Sequence, residues 1–414
     1  MSSKLRILIC AYACSPYRGS EHAVGWGFIN TLARSDCYEL WVIAEEKFKK
    51  EVDQYIKEHP NFPDSVKFFS LRRKRNKVLK KIWPPSYYWY YNRWHREAFS
   101  LAKELHKKVQ FDIVHQLTMV GFREPGYLWK LDAPFVWGPI GGFVQMPLRF
   151  LSILGPYGTI YYLGRNIMNY IHMRFLRRPK LAAEKAGSGL ISATKETADW
   201  VKKYWRKESH VIYEVGISDV FVNEVNRRKD KELRLIWSGK YLPRKALPIL
   251  LYALSMLPKN TNYKLDIIGS GPEEKRWKKI AFNLGIYDRC IWHGWVSRKE
   301  ALEIMRKGHV FILTSLQDLT TTVVLEALAS GLPVICLDHC GFSEVITEEC
   351  GIKIPVTNIE DVAKNITRAI KKLEDDENLR FKMSEASIRR AKEFKWDKKV
   401  EKLKRIYKEV IKDK

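Results

Sequence analysis

The chain has 414 residues, 46% hydrophobic and 29% charged, which excludes a disordered polypeptide and leaves room for two domains with a core each. Its 73 Lys and Arg against 47 Asp and Glu give a formal charge of +26, so polyanions are the expected company: nucleic acid, anionic lipid head groups or phosphorylated substrates. Seven cysteines without a Cys-x-x-Cys pair or zinc-ligand spacing argue for ordinary thiols in a reducing compartment, and no apolar run approaches the ~20 residues that span a bilayer.

Leu5–Ala11 reads as a first buried strand. Lys4, Arg6 and Ala11-Tyr12-Ala13 mimic a secretory leader, but the charges interrupt the apolar run rather than precede it, and the strand is preferred. A loop over Ser15–Glu21 carries Gly19, and a helix is expected from about His22 to Arg34. Backbone N–H groups and a helix amino end there suit an anion, while a tight turn that needs Gly is the plain alternative.

Further strands are expected at Glu39–Ala44, Val66–Ser70, Asp112–Gln116 and Ala133–Trp137, the fourth strand of the series bearing His115 and the last leading into Gly138–Phe143. Two stretches break this pattern. Leu71–Lys81 holds seven cations ahead of a Tyr- and Trp-rich run to Trp94, and Phe150–Leu176 mixes Ile, Leu and Tyr with Arg. Cations beside such aromatics suit a membrane surface; solvated helices with inward-facing rings are the alternative.

Asn223–Glu232 is polar and highly charged, as linkers are. Beyond it, Leu233–Trp237 is a strand, Ser238–Ala246 a loop with Lys240, Arg244 and Lys245, and a helix begins near Leu247. Leu265–Ile268 runs into the Gly-rich turn Gly269–Pro272, and Cys290–His293 into Gly294-Trp295-Val296. His309–Ser315 is an apolar strand and Val323–Ser330 a helix with Val324, Leu325 and Leu328 as its stripe. Gly331 and Pro333 close that helix, and Pro333–Leu337 opens the next strand. Asp318 lies on the loop at the carboxyl end of the His309–Ser315 strand, where open parallel sheets bind ligands, and Glu326 follows eight residues later. Gly351–Ile354 is a last strand, and Asp361–Leu373 and Phe394–Ile411 are amphipathic helices.

Asp318-x7-Glu326 followed by Ala327-Leu328-Ala329-Ser330-Gly331-Leu332-Pro333-Val334 resembles the donor-site signature of retaining glycosyltransferases of the two-domain GT-B fold, family 4 in particular. That family usually has Glu at the first acid with Gly-Phe-Gly after it, where this chain has Asp318, Leu319, Thr320, Thr321 and Thr322. Two acids taken alone would read as a solvated helix Glu and an N-cap. The resemblance implies two Rossmann-like, doubly wound α/β domains facing a cleft. Residues 1–215 would bind the acceptor, with a C-terminal helix, 394–414, crossing back to them, and 216–393 would bind a nucleotide-sugar.

The same resemblance assigns residues. The family's Gly-Arg-x4-Lys-Gly becomes Gly239-Lys240-x4-Lys245-Ala246, so Lys240 and Lys245 would grip the diphosphate, with Arg244 competing for the second place. The helix amino end at Thr321–Thr322 would share that charge, Glu326 would accept from ribose hydroxyls, and Asp318 from sugar hydroxyls. Gly269, Leu319 and Thr320 would line the donor, and the backbone of Trp295 and Val296 would meet the base. On the first domain, Gly19 would lie near a donor phosphate, Glu21 on the acceptor side, and His115 before the cleft. Gly141 and Gly142 stand on the loop where many relatives have His.

The expected activity is glycosyl transfer with retention, from a nucleotide-diphospho-sugar to a glycan or lipid-linked acceptor of a surface polysaccharide or glycolipid. No cofactor is expected, and no metal, since no Asp-x-Asp follows a strand end. The expected place is cytoplasmic, peripheral on an anionic membrane face. Two other classes compete: a basic nucleic-acid-binding protein, which lacks a binding motif here, and a Rossmann-type dehydrogenase, for which Cys14–Gly19 supplies a single glycine instead of G-x-G-x-x-G.

Overall fold

In a computed structural model that describes residues 4–73, 86–218 and 232–413, the apolar runs pair as parallel strands in two sheets. The chain divides into two compact units. The first comprises Met1–Phe143, Ile171–Gly216 and Trp396–Lys414, and the second Val144–Tyr170 and Ile217–Lys395.

The sheet of the first unit consists of β1 (Leu5–Ala11), β2 (Tyr38–Glu45), β3 (Val66–Leu71), β4 (Ile113–Thr118), β5 (Phe135–Ile140), β6 (Leu190–Ser192) and β7 (His210–Val211), in the order β3-β2-β1-β4-β5-β6-β7. Leu8 of β1 stands opposite Trp41 on one side and Val114 on the other, and Ile7 to Ala11 are fully buried. Burial on both faces is why these strands read as continuous apolar runs rather than alternating ones. Helices α1 (Glu21–Ala33), α2 (Lys49–Glu58) and α3 (Ser86–Val109) connect the first strands. A long helix, α4 (Gly155–Phe175), precedes α5 (Arg177–Ala186) and α6 (Lys195–Trp205).

The second sheet is built from β8 (Leu233–Ser238), β9 (Tyr263–Ile268), β10 (Cys290–Gly294), β11 (Val310–Leu313), β12 (Val334–Leu337) and β13 (Gly351–Ile354), in the order β10-β9-β8-β11-β12-β13. Its helices are α7 (Leu247–Ser255), α8 (Glu274–Asn283), α9 (Arg298–Arg306), α10 (Thr322–Ala329), α11 (Cys340–Val345), α12 (Ile359–Asp375) and α13 (Glu377–Lys392). Phe150, Ile153, Leu154 and Tyr162 are buried in this unit's core beside Trp237, Leu247 and Ile312. Residues 144–170, expected with the acceptor domain, therefore group with the second unit.

The last helix, α14 (Trp396–Lys412), belongs to the first unit. Trp396 packs edge-on to Phe28 of α1, ring centroids 5.3 Å apart, and a Cβ on Gly27 would lie 2.3 Å from its ring. Only glycine at position 27 allows the two helices to approach this closely. Deeper along α14, Tyr407 donates to Nδ1 of His115 at 2.8 Å, while Nε2 of the same ring donates to Gly138 O at 2.8 Å.

His115 thus departs from its expected place in a binding site. The ring is fully buried, both nitrogens are engaged, and burial holds its pKa down at about 4 although the bond to Gly138 opposes that. Much of the aromatic run also faces inward. Tyr90, Tyr91 and Trp94 are buried, and Trp94 Nε1 donates to Leu71 O at 3.0 Å, leaving Tyr88 and Trp89 exposed. Lys74 to Lys81 and Trp83 lie outside the described residues.

Removing the Tyr407 hydroxyl leaves an acceptor nitrogen buried and unpaired. We expect Tyr407→Phe to lower unfolding free energy by about 1–3 kcal/mol in urea titrations, whereas an unchanged midpoint would show that the His115 bond contributes nothing.

Candidate functional site

In the second sheet the strand order reverses between β8 and β11, the place where doubly wound sheets hold ligands at their carboxyl ends. Two loops meet there. The first, Gly239–Ala246, leaves β8, and the second, Thr314–Thr321, leaves β11. They are stitched together by Leu316 N–H donating to Arg244 O at 2.8 Å and Thr314 Oγ1 donating to Lys245 O at 2.9 Å. Trp237 Nε1 reaches Thr314 Oγ1 at 3.3 Å from below. A Cβ on Gly269 would sit 2.0 Å from Gly239 O, so glycine there lets the turn after β9 close onto the loop after β8.

The loops carry a cluster of charge. Asp318 is paired with Lys245 through one carboxylate oxygen and with Arg244 through the other, the latter at 2.9 Å. Arg244 also donates to Gln317 O at 2.7 Å. Burial pushes the Asp318 carboxyl up, but Lys245 and Arg244, as charges and as donors, outweigh it and hold the group below the usual carboxylate range. Asp318 N–H points at Cys340 Sγ, 3.3 Å away on α11. Lys245 is buried, whereas Lys240 is exposed on the same loop.

Beside this cluster, α10 begins at Thr322, with Thr321 at φ 60 turning the chain into the helix. Thr320 is buried, and Leu319, Thr321 and Thr322 are partly exposed. Glu326, one turn into α10, is paired with Arg298 of α9 at 2.7 Å. Burial raises its pKa, and Arg298 opposes the rise. Trp295 is 74% exposed and Val296 partly exposed, both just past β10 at the edge of the sheet. Ala246 adopts the left-handed conformation, φ 44, where the glycosyltransferase signature has Gly.

The first sheet reverses between β1 and β4. Glu21, the first residue of α1, accepts from Val120 N–H at 3.2 and 3.3 Å. On the other side of the same residue, Gly141 N–H donates to Val120 O at 2.6 Å. Burial lifts the Glu21 pKa to about 7, with the Val120 bond opposing and the charge of Glu214 adding to the lift. Gly142, at φ 88, and Gly19 are accessible, the latter accepting at its carbonyl from His22 Nδ1 at 3.2 Å.

Of the residues expected at a site, Lys245, Arg244 and Asp318 come into contact, Gly239 and Gly269 pack together, and Glu21 and Gly141 share Val120. Sequence reading missed Arg298, Gln317 and Cys340. Arg298 stands 28 residues before Glu326 on another helix, and no spacing rule joins them. Among the described residues, no group of three or more His, Cys, Asp or Glu that could hold a metal ion gathers.

Residues 221–390 match the family described as Glycosyl transferases group 1. The chain is 24% identical to alpha-monoglucosyldiacylglycerol synthase of Streptococcus pneumoniae, over 61% of this chain and 57% of that protein. To the lipopolysaccharide glucosyltransferase WaaG of Escherichia coli it is 24% identical, over 47% and 55%. It spans about half the length of the curated relatives it matches. Among solved structures, a glycosyltransferase from Rickettsia africae superposes with a TM-score of 0.66 at 16% identity, covering 99% of this chain and 100% of that one. Anabaena HepE in complex with UDP gives 0.63 at 14%, over 98% and 100%. The fold is that of the GT-B class, two Rossmann-like units with the last helix returned to the first.

Two outcomes follow from the electrostatics. Lys245→Met should cost roughly 2–4 kcal/mol of stability by leaving Asp318 with a single cation, and adding Asp318→Asn should recover most of it; a double-mutant cycle in urea reads the coupling. Because the folded pKa of Asp318 is depressed, its contribution is complete above the unfolded value of 3.8 and is lost as pH falls through the folded one. Glu21 behaves oppositely. Its folded pKa of about 7 lies above the ordinary 4.5, so the folded state binds the extra proton and stability should fall as pH rises across that window. Thermal melts of Glu21→Gln, compared with wild type between those pH values, should lack this slope.

Proposed function

We propose that this chain, whose residues 221–390 match the family of glycosyl transferases group 1, is a glycosyltransferase that moves a sugar from a nucleotide-diphospho-sugar to an acceptor with retained configuration. The observation that carries the reading is the Lys245–Asp318–Arg244 cluster at the reversal point of the second sheet, inside the matched segment, with Lys240 exposed on the same loop. When the bond between the anomeric carbon and the β-phosphate oxygen breaks, the leaving diphosphate gains negative charge. Lys240, Lys245 and the amino end of α10 are the donors for that charge, and fixed donors of this kind are usually the largest catalytic contribution. Held this way, the diphosphate needs no metal.

Asp318 has two roles in this reading. It keeps Lys245 and Arg244 in position while the site is empty, and its remaining lone pairs accept hydroxyls of the sugar. Glu326, kept close to Arg298, takes the ribose hydroxyls. Leu319, Thr320 and Gly269 border the donor, and Trp295 and Val296 lie toward the base. The first unit takes the acceptor, with Glu21, Gly19, Gly141 and Gly142 around the reversal point of its own sheet.

The acceptor in this reading is lipid-linked, part of a surface polysaccharide or glycolipid, and the enzyme works at an anionic, cytoplasmic membrane face. Support comes from the charge of +26 and from two relatives whose names carry a diacylglycerol and a lipopolysaccharide. Because HepE was solved with UDP and with UDP-glucose, uridine nucleotides head the list of donors to try.

A screen of nucleotide-sugars by thermal shift tests the donor. A true donor at 100 times its Kd should stabilise the fold by about 2.7 kcal/mol. Lys240→Ala should keep its melting temperature yet lose about 2–4 kcal/mol of transition-state stabilisation in kcat/KM, and Glu326→Gln should raise the donor KM. A panel in which no nucleoside diphosphate or its sugar shifts the melt would sink the reading.

A further inference from the structure

A surface helix of a globular protein turns its apolar stripe to the core and its polar residues to water. In α4, Tyr162 and Met173 are buried in that way, but polar side chains bond inward beside them. Thr159 donates to Leu151 O at 2.6 Å, Asn166 both accepts from Met146 N–H at 2.9 Å and donates to Met146 O at 2.7 Å, and Asn169 donates to Val144 O at 3.4 Å. In the part of α4 that belongs to the second unit, the outward face carries Tyr157, Ile160, Tyr161, Ile167 and Met168, all exposed and on one side of the helix with Gly164 between them. Tyr157 and Ile160 are 80% and 75% exposed. At 1.5 Å per residue the stripe runs about 17 Å, longer than the isolated exposed side chains that need no explanation.

The charge around the stripe has one sign. From Ala133 to Ala183 there is no Asp or Glu, and the same stretch holds Arg149, Arg165, Arg174, Arg177, Arg178 and Lys180. Glu124 pairs with Arg178, at 2.5 Å, while Arg149 and Arg165 stand before and within the part of α4 that belongs to the second unit. Among the described residues no helix is long and apolar enough to cross a membrane. An apolar stripe with tyrosines, cations at its ends and no acid is the composition of a helix that lies in the head-group layer.

We propose that the outward face of α4 seats on an anionic lipid bilayer, with Tyr157, Ile160, Tyr161, Ile167 and Met168 in the boundary layer and the neighbouring arginines on lipid phosphates. This deepens the lipid-acceptor reading above and rests on it for its purpose.

The test is flotation of the full chain with vesicles of phosphatidylcholine alone and of phosphatidylcholine mixed with phosphatidylglycerol. Partitioning onto the anionic vesicles should exceed the neutral ones by about tenfold or more, and Ile160→Glu with Ile167→Glu should remove most of it. Both side chains are exposed, so the double variant should melt like wild type. Independently, Tyr161→Trp in an otherwise unchanged chain should give an emission blue-shift on anionic vesicles. Equal partitioning of wild type and double variant, no binding to anionic vesicles, or a self-association that the double variant abolishes without any lipid effect would each overturn the proposal. The nucleotide thermal shift separates the two readings: it should survive in the double variant, and its absence from both proteins would sink the donor reading while leaving the docking result to stand.

Discussion

An isolated carboxylate buried like Asp318 would cost several kcal/mol, and it would be protonated rather than charged. Lys245 and Arg244 reverse that balance, and in doing so they tie the loop after β8 to the loop after β11. The geometry depends on β8 and β11 lying side by side, with Val310 opposite Leu235 and Phe311 opposite Ile236. Neighbouring parallel strands whose chain paths diverge leave a gap between their following loops, and that gap is where the charges meet. Taking away one cation would leave the anion desolvated, so the cluster stands or falls together.

The two reversal points differ in their electrostatics. At the second sheet a carboxylate sits between cations. At the first, Glu21 has the Val120 N–H and the unfavourable charge of Glu214, and its pKa rises to about 7. Nearby in the same unit, burial lowers Lys399 to about 7 although Glu214 opposes the fall. At one reversal point cations outnumber the carboxylate, and at the other burial pushes a carboxyl up to about 7. That division fits the donor and acceptor roles proposed above.

The mixed polarity of α4 shows where amphipathic pattern stops being informative. Buried Asn169 and half-buried Asn166 are tolerated beside buried Tyr162 and Met173 because each amide meets a backbone partner in the segment just before the helix.

The amino-acid sequence by itself determined the strands and the loops that follow them, because strands covered on both faces must be apolar throughout and the turns at their ends need Gly, Pro or polar residues. It also marked Asp318, Glu326, Lys240 and Lys245, whose spacing within one βαβ unit or one loop is local. Tertiary structure decided what each of them touches. Arg298 reaches Glu326 from another helix, Tyr407 reaches His115 across 292 residues, and Asn166 and Asn169 of α4 find the backbone of Met146 and Val144. Periodicity states that a helix has two faces, but which one is buried depends on partners that only the folded chain brings near.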